Sequence, residues 1–152
     1  MIPSGQVVVF LLDGQRYALP LSAVHRVVYA VETTPLPSAP EIVLGVINAE
    51  GRIVPVINIR KRFELPDKQI GPDDHVIIAL TARRSVALVT DSVSGVAEIP
   101  PDTLVDSSSI LPYVPYVKGI AKLPDGMVII HDLESFLSLE EDRALDDAMS
   151  QL

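Results

Sequence analysis

Val43-Leu44-Gly45-Val46-Ile47-Asn48-Ala49-Glu50-Gly51-Arg52-Ile53-Val54-Pro55-Val56-Ile57-Asn58-Ile59-Arg60 reads as two apolar runs folded about a turn. β-Branched residues dominate both runs; they lose rotamer freedom in a helix and suit a pleated surface. Gly51 supplies the positive φ that a tight hairpin loop needs. The pattern predicts strands over Val43–Asn48 and Ile53–Asn58 about Glu50-Gly51, a central hairpin buried on both faces. Pro55 pulls the other way: it has no N–H to give a ladder, which points to an edge or a bulge. An apolar strand near an edge is also a natural interaction surface.

Working outward, three more hairpins follow the same logic. Gln6–Leu12 and Arg16–Leu21 flank Asp13-Gly14, and Lys118–Leu123 and Val128–His131 flank Asp125-Gly126. His75–Leu80 and Val86–Thr90 flank Ala82-Arg83-Arg84. Val24–Val31 and Val93–Ile99 add two short strands. Val and Ile number 34 against 29 for Leu and Ala, and 13 prolines and eight glycines punctuate the chain, so an all-β fold is expected. About ten short strands suit two small barrels of five strands each, which would close the sheet edges. Pro66, Gly71 and Pro72 mark the break between approximate halves 6–70 and 71–137. Pro35, Pro37 and Pro40 stiffen one connection; Pro100-Pro101 open a loop running through Ser107–Ser109. Asp132–Leu137 could form one helical turn. Ser138-Leu139-Glu140-Glu141 is a capping box, so 138–152 is expected to be a C-terminal helix. Leu145, Ala148, Met149 and Leu152 form its apolar stripe, expected to pack on its own domain.

The chain has 152 residues, room for one domain or two very small ones. A net charge of −8 argues against nucleic acid or an anionic membrane surface as a partner. The absence of cysteine excludes disulfides, thiolate metal sites and thiol nucleophiles. No signal-like segment or apolar run of about 20 residues is present, so a cytoplasmic protein without membrane insertion is expected.

No chemistry-bearing motif emerges. His25, His75 and His131 form no metal-type pair and read as surface or strand-edge residues. There is no P-loop, dinucleotide fingerprint or nucleophile elbow. No carboxylate pair is selected by spacing, so neither an enzyme nor a cofactor is expected. Two basic clusters remain, Arg60-Lys61-Arg62 and Arg83-Arg84. Each is read either as a solvated strand end or turn, or as a docking patch for acidic side chains.

The opening segment resembles the central signature of the CheW family of chemotaxis coupling proteins, an apolar stretch with a glycine followed by Asn-Leu-Arg-Gly and ending in Asp-Leu-Arg. Here those positions read Asn48-Ala49-Glu50-Gly51 and Asn58-Ile59-Arg60. Phe10–Leu21 is similar to the family's first hairpin, and Val89–Val93 and Val117–Ile120 to its second half. The resemblance covers roughly 6–137. It implies two five-stranded SH3- or OB-like barrels with exchanged strands. It implies a non-enzymatic adaptor joining the regulatory domain of a CheA-type histidine kinase to the cytoplasmic tip of chemoreceptors in membrane-associated arrays. Carried over, Val24, Gly45, Asn48, Glu50, Gly51 and Gly119 would lie near the receptor groove, which the resemblance places between the barrels, and Arg26 and Arg60 are kinase-contact candidates. Glu50 stands where the family motif has arginine. That reversal points to a non-standard receptor or a different pathway, such as one controlling surface motility. A nucleic-acid-binding small barrel is the alternative of another class, opposed by the charge and by seven aromatic residues.

Overall fold

The computed structural model describes residues 5–30, 32–106 and 116–152. Val31, the end of one expected strand, and Ser107–Ser109 lie outside the described residues. Eleven strands are described: β1 (Gly5–Leu12), β2 (Gln15–Pro20), β3 (Val24–Tyr29), β4 (Val43–Ala49), β5 (Arg52–Ile57), β6 (His75–Leu80), β7 (Ser85–Thr90), β8 (Ser92–Ile99), β9 (Leu104–Asp106), β10 (Val117–Leu123) and β11 (Gly126–His131). A short helix α1 (Ile59–Arg62) follows β5, and α2 (Leu139–Ser150) closes the chain.

The strands form two sheets, ordered β8-β1-β2-β11-β10-β9 and β3-β6-β7-β5-β4. Both repeat one scheme. A hairpin (β1–β2 or β6–β7) pairs in parallel with the last strand of another hairpin (β11 or β5), and a strand from elsewhere (β8 or β3) covers its first strand. After each leading hairpin the chain crosses to the opposite sheet, so strands are exchanged. Pro66, Gly71 and Pro72 lie in the connection between α1 and β6, and residues 6–70 and 71–137 each contribute strands to both sheets. The first sheet has six strands rather than five, because Leu104–Asp106, expected as loop, pairs with β10.

Alternation explains the core. Val7, Val9, Ala18, Val128 and Ile130 face into the first barrel. Ile47, Val54, Val56, Val76 and Ile78 face into the second. The opposite faces of the same strands meet between the barrels, where Phe10, Leu12, Tyr17 and Leu19 pack with Ile57, Ile77 and Leu88. Strands buried on both faces read as nearly continuous apolar runs, as these do.

Three local expectations change. Pro55 lies not on an edge but on β5, between β7 and β4. Its partner Val46 exchanges backbone bonds of 2.7 and 2.9 Å with Thr34 instead, so Val46–Pro55 is a non-hydrogen-bonded pair. The missing N–H removes no β4–β5 bond, and pairing with β7 starts only at Val56. Ile59-Arg60 is helical rather than a strand end. Pro101–Thr103, expected as loop, is a single 3₁₀ turn, whereas the helical turn expected within Asp132–Leu137 is present as a 3₁₀ turn at Leu133–Ser135.

The capping box at Ser138 is present: Glu141 N–H donates to Ser138 Oγ at 3.1 Å, and Ser138 N–H to Glu141 Oε1 at 2.8 Å. Of the expected stripe, Leu145 and Ala148 are buried against Leu36 and Val46, with Met149 beside them. Leu152 lies past the helix end and is exposed. No helix among the described residues is long and apolar enough to cross a membrane.

Gly45 shows why one signature glycine is required. Its φ is +151°, and an added Cβ would lie 2.3 Å from Thr34 O and 2.8 Å from Thr33 Cγ2. Gly45→Ala is expected to cost about 1–3 kcal/mol, the range for backbone strain with nowhere to relax. Urea denaturation measures it; an unchanged midpoint would show that the 33–34 segment yields freely.

Candidate functional site

The second barrel opens at one end into a groove of about 640 Å³. Its floor is apolar, made by Val28, Ile47, Val54 and Ile78. Its rim is polar, made by His25 and Arg26 of β3, Asn48 and Glu50 at the β4–β5 turn, Arg52 and Ser85. β3 and β4 are the two edge strands of the five-stranded sheet, so the rim brings together residues that no ladder joins.

The β4–β5 turn is built for this. Glu50 and Gly51 have φ of 53° and 82°, a two-residue loop with both central residues left-handed. Asn48 Oδ1 accepts from Gly51 N–H at 2.9 Å and braces the turn. Glu50 then projects toward β3. There a bulge between Val24 and Arg26 breaks strict alternation, and both His25 and Arg26 reach the same carboxylate. Arg26 forms an ion pair with Glu50, and His25 Nε2 stands 3.8 Å from it. All three side chains are at least half exposed, so the pairing organises the rim without removing its charges from solvent.

The other receptor-groove candidates, expected near the groove between the barrels, do not line this mouth. Val24 packs on the core between the barrels. Gly45 is buried beneath Thr33-Thr34 of its own chain. Gly119 is in the other sheet, on β10. Gly51 shares the turn with Glu50 but does not line the groove. His25, expected at the surface or a strand edge, is exposed on the edge strand β3, where the bulge turns it to the mouth; Arg52 and Ser85 carry no sequence signal that marks them for this mouth.

Arg60 is neither a solvated strand end nor exposed. Its side chain is 9% exposed and tied to Asp91 at 2.7 Å, Asp13 at 3.4 Å and the Pro66 carbonyl at 3.0 Å. Asp91 also accepts from Asp13 N–H at 2.9 Å and from Lys68 Nζ at 3.2 Å, and Lys68 reaches Asp74 at 3.0 Å. Burial alone would raise the pKa of Asp91, but bonds from Arg60, the Asp13 N–H and Lys68 hold it below its ordinary value. Burial alone would lower Arg60, and its two carboxylates reverse that. The network joins the β1–β2 turn of one sheet to α1 and the β7–β8 crossover of the other.

His131 is also corrected. It is neither at the surface nor at a strand edge but fully buried, between Phe63 (5.2 Å between ring centroids) and Phe136 (5.8 Å). Neither ring nitrogen has a hydrogen-bond partner among the described residues, and burial pushes its pKa down to about 4.

Comparison with known proteins agrees with this architecture. The model of the CheW-like domain matches residues 6–141. The chain is 26% identical to the chemotaxis protein CheW of Klebsiella aerogenes, over 93% of this chain and 87% of that one. It is 29% identical to CheW of Thermotoga maritima, over 87% of each. The crystal structure of the scaffolding protein CheW from Thermoanaerobacter tengcongensis superposes with a TM-score of 0.81 at 31% identity, covering 91% of this chain and 96% of that one. With the signature segment, the exchanged strands and these matches together, the chain belongs to the CheW-like domain family, the non-enzymatic scaffold and adaptor proteins of chemotaxis.

Proposed function

We propose that this chain couples chemoreceptors to a CheA-type histidine kinase, and that the mouth of the second barrel reads the receptor's cytoplasmic tip. The observation that carries the site is the Glu50–Arg26 pair spanning the mouth, with His25 beside it, above an apolar floor. A helical tip can lay an apolar ridge on such a floor while its charged residues meet the rim. Glu50 is the rim charge that departs from the family motif, so it favours a receptor with basic or neutral residues at the facing position. The same departure supports a pathway with its own receptor set, such as one for surface motility. Arg26 remains a candidate for contact with either partner. The burial of Arg60 supports an internal role for that residue instead.

The test is calorimetric binding to receptor tips from the same source, with Glu50→Arg, Arg26→Glu and the exchanged pair Arg26→Glu/Glu50→Arg. Glu50→Arg is expected to weaken binding to the native receptor at least tenfold. If the exchanged pair restores affinity, Glu50 acts by shaping the mouth; if it does not, Glu50 meets the receptor directly. Unchanged affinity in all three variants would place receptor contact elsewhere on the surface.

A further inference from the structure

Side-chain alternation sets what the inner face of the second barrel presents at its open end. Val28 on β3, Val54 on β5 and Ile78 on β6 pack into the barrel interior. The next inward position toward the mouth on each strand is two residues away. Those positions are Arg26, Arg52 and Leu80, and all three line the groove. Each inner column therefore passes from apolar core to an exposed side chain in one step. Leu80 is the anomaly. A leucine exposed singly on an outer surface is ordinary, but this one faces inward at the end of a barrel and is still 50% exposed.

The strand order β3-β6-β7-β5-β4 divides the rim into two parts. One part joins the two edge strands, and Glu50 closes it by pairing with Arg26. The other runs from Leu80 through Ser85, its partner in the β6–β7 hairpin, to Arg52. Arg52 is exposed and holds no carboxylate among the described side chains. That is unusual in this chain, where 20 acidic residues face 12 basic ones and most of the basic side chains are ion-paired. An apolar anchor beside an uncompensated cation in a concave site suits an apolar side chain accompanied by a carboxylate.

We propose that Leu80 and Arg52 determine receptor specificity: Leu80 seats an apolar side chain of the receptor tip, and Arg52 pairs with a carboxylate two turns along the same helix face. Leu80 and Arg52 are two strand spacings apart, about 10 Å across the sheet. Helix residues seven apart are separated by about the same length, at roughly 1.5 Å of rise each. The inference rests on the reading of this mouth as the receptor site, and it goes beyond Glu50. Glu50, directed at β3, disfavours a carboxylate there, whereas Arg52 attracts one at β5. Together the two charges fix how the helix lies across the groove.

The test immobilises the cytoplasmic tip of a chemoreceptor from the same source and reads association and dissociation rates for the full chain. Arg52→Glu is expected to weaken binding about tenfold or more, chiefly through slower association. Arg52→Met should bind less tightly than wild type at about 0.05 M NaCl and lose less affinity on going to about 0.5 M. Leu80→Ser is expected to speed dissociation about fivefold or more, since a seated apolar anchor acts on the off-rate. Replacing the tip's carboxylates by lysine one at a time should restore binding to Arg52→Glu at one position. Both substituted positions are exposed, and circular dichroism with a cooperative melt establishes that each variant is folded. Wild-type affinity in Arg52→Glu, while Glu50→Arg still weakens binding, would overturn this inference alone and leave the mouth as the receptor site. A weakening by Arg52→Glu that no lysine on the tip relieves would overturn the carboxylate contact. No receptor binding by wild type, or full affinity in every mouth variant, would remove the reading of the mouth and this inference with it.

Discussion

Arg60→Met is expected to lower the free energy of unfolding by about 3–5 kcal/mol, the range for removing one partner of a buried ion pair. The loss is large because the substitution takes from Asp91 the partner that bonds to both of its oxygens and leaves it only the Asp13 N–H and the half-exposed Lys68. That carboxylate is only a quarter exposed and keeps its charge through bonds of 2.7 Å to Arg60. Methionine replaces much of the arginine stem's volume, so the measured loss reports the orphaned charge rather than a cavity. Arg60→Met/Asp91→Asn is expected to recover a good part of it, since replacing both partners of a buried pair is far cheaper than breaking one. The recovery stops short of complete, because the Asp13 N–H and Lys68 bond to different oxygens of Asp91 and the asparagine amide keeps only one acceptor oxygen. Acid should weaken wild type in the same way. Asp91 has a lowered pKa in the folded state, so its contribution is present above the ordinary carboxylate pKa and fades as pH falls through the lower, folded value. Urea denaturation of the three proteins at pH 7.5 decides the matter. A loss below about 1 kcal/mol for Arg60→Met would put the pair among surface bridges.

That network also marks where sequence reading stops. Arg60 meets Asp91 across 31 positions and Asp13 across 47. No local pattern distinguishes a basic triplet on a solvated strand end from one whose first member turns inward on a four-residue helix. The same limit hid the parallel pairings of β2 with β11 and β5 with β7, which leave no hairpin signal, and the third strand on β10. What was legible is local. Asp13-Gly14 and Glu50-Gly51 were readable as turns because both residues must take positive φ, and they do, at 54° and 81° and at 53° and 82°. Ser138 and Glu141 were readable because their reciprocal bonds span three residues. At the candidate site, Asn48, Glu50 and Arg26 came from the family's pattern, and the structure brings those three together at the mouth. Gly45, Val24 and Gly119 came from the same pattern but serve a close backbone approach, the inter-barrel core and the other sheet. A motif records which residues matter without recording whether they touch a partner or their own chain.

His131 gives the second large effect, and it is a pH dependence. The run Val128-Ile129-Ile130-His131 carries the signal that was passed over: three consecutive apolar residues mean that both faces are covered, so the fourth is covered too. Val128 and Ile130 face the first barrel's interior, while Ile129 faces the inter-barrel core. Alternation puts the imidazole with Ile129, between Phe63 and Phe136. With neither nitrogen hydrogen-bonded among the described residues, the adjacent Asp132 is the charge that offsets the cost of burying a cation there. The unfolded chain binds a proton near pH 6.5, the ordinary histidine value, whereas the folded chain refuses it until about pH 4. Between those values the unfolded state holds more protons, so stability falls as pH falls, and the contribution is complete above pH 6.5. A shift of this size amounts to about 3 kcal/mol by pH 4, of which about 2 kcal/mol is already lost at pH 5. The measurement is urea denaturation at pH 7.5 and pH 5.0, for wild type and His131→Leu. Carboxylates titrate equally in both proteins, so the difference of differences isolates His131. Wild type is expected to lose about 2 kcal/mol more than the variant over that interval. Parallel losses would mean that water or a proton acceptor reaches the ring, and that the seam between the barrels is wetter than its aromatic lining implies.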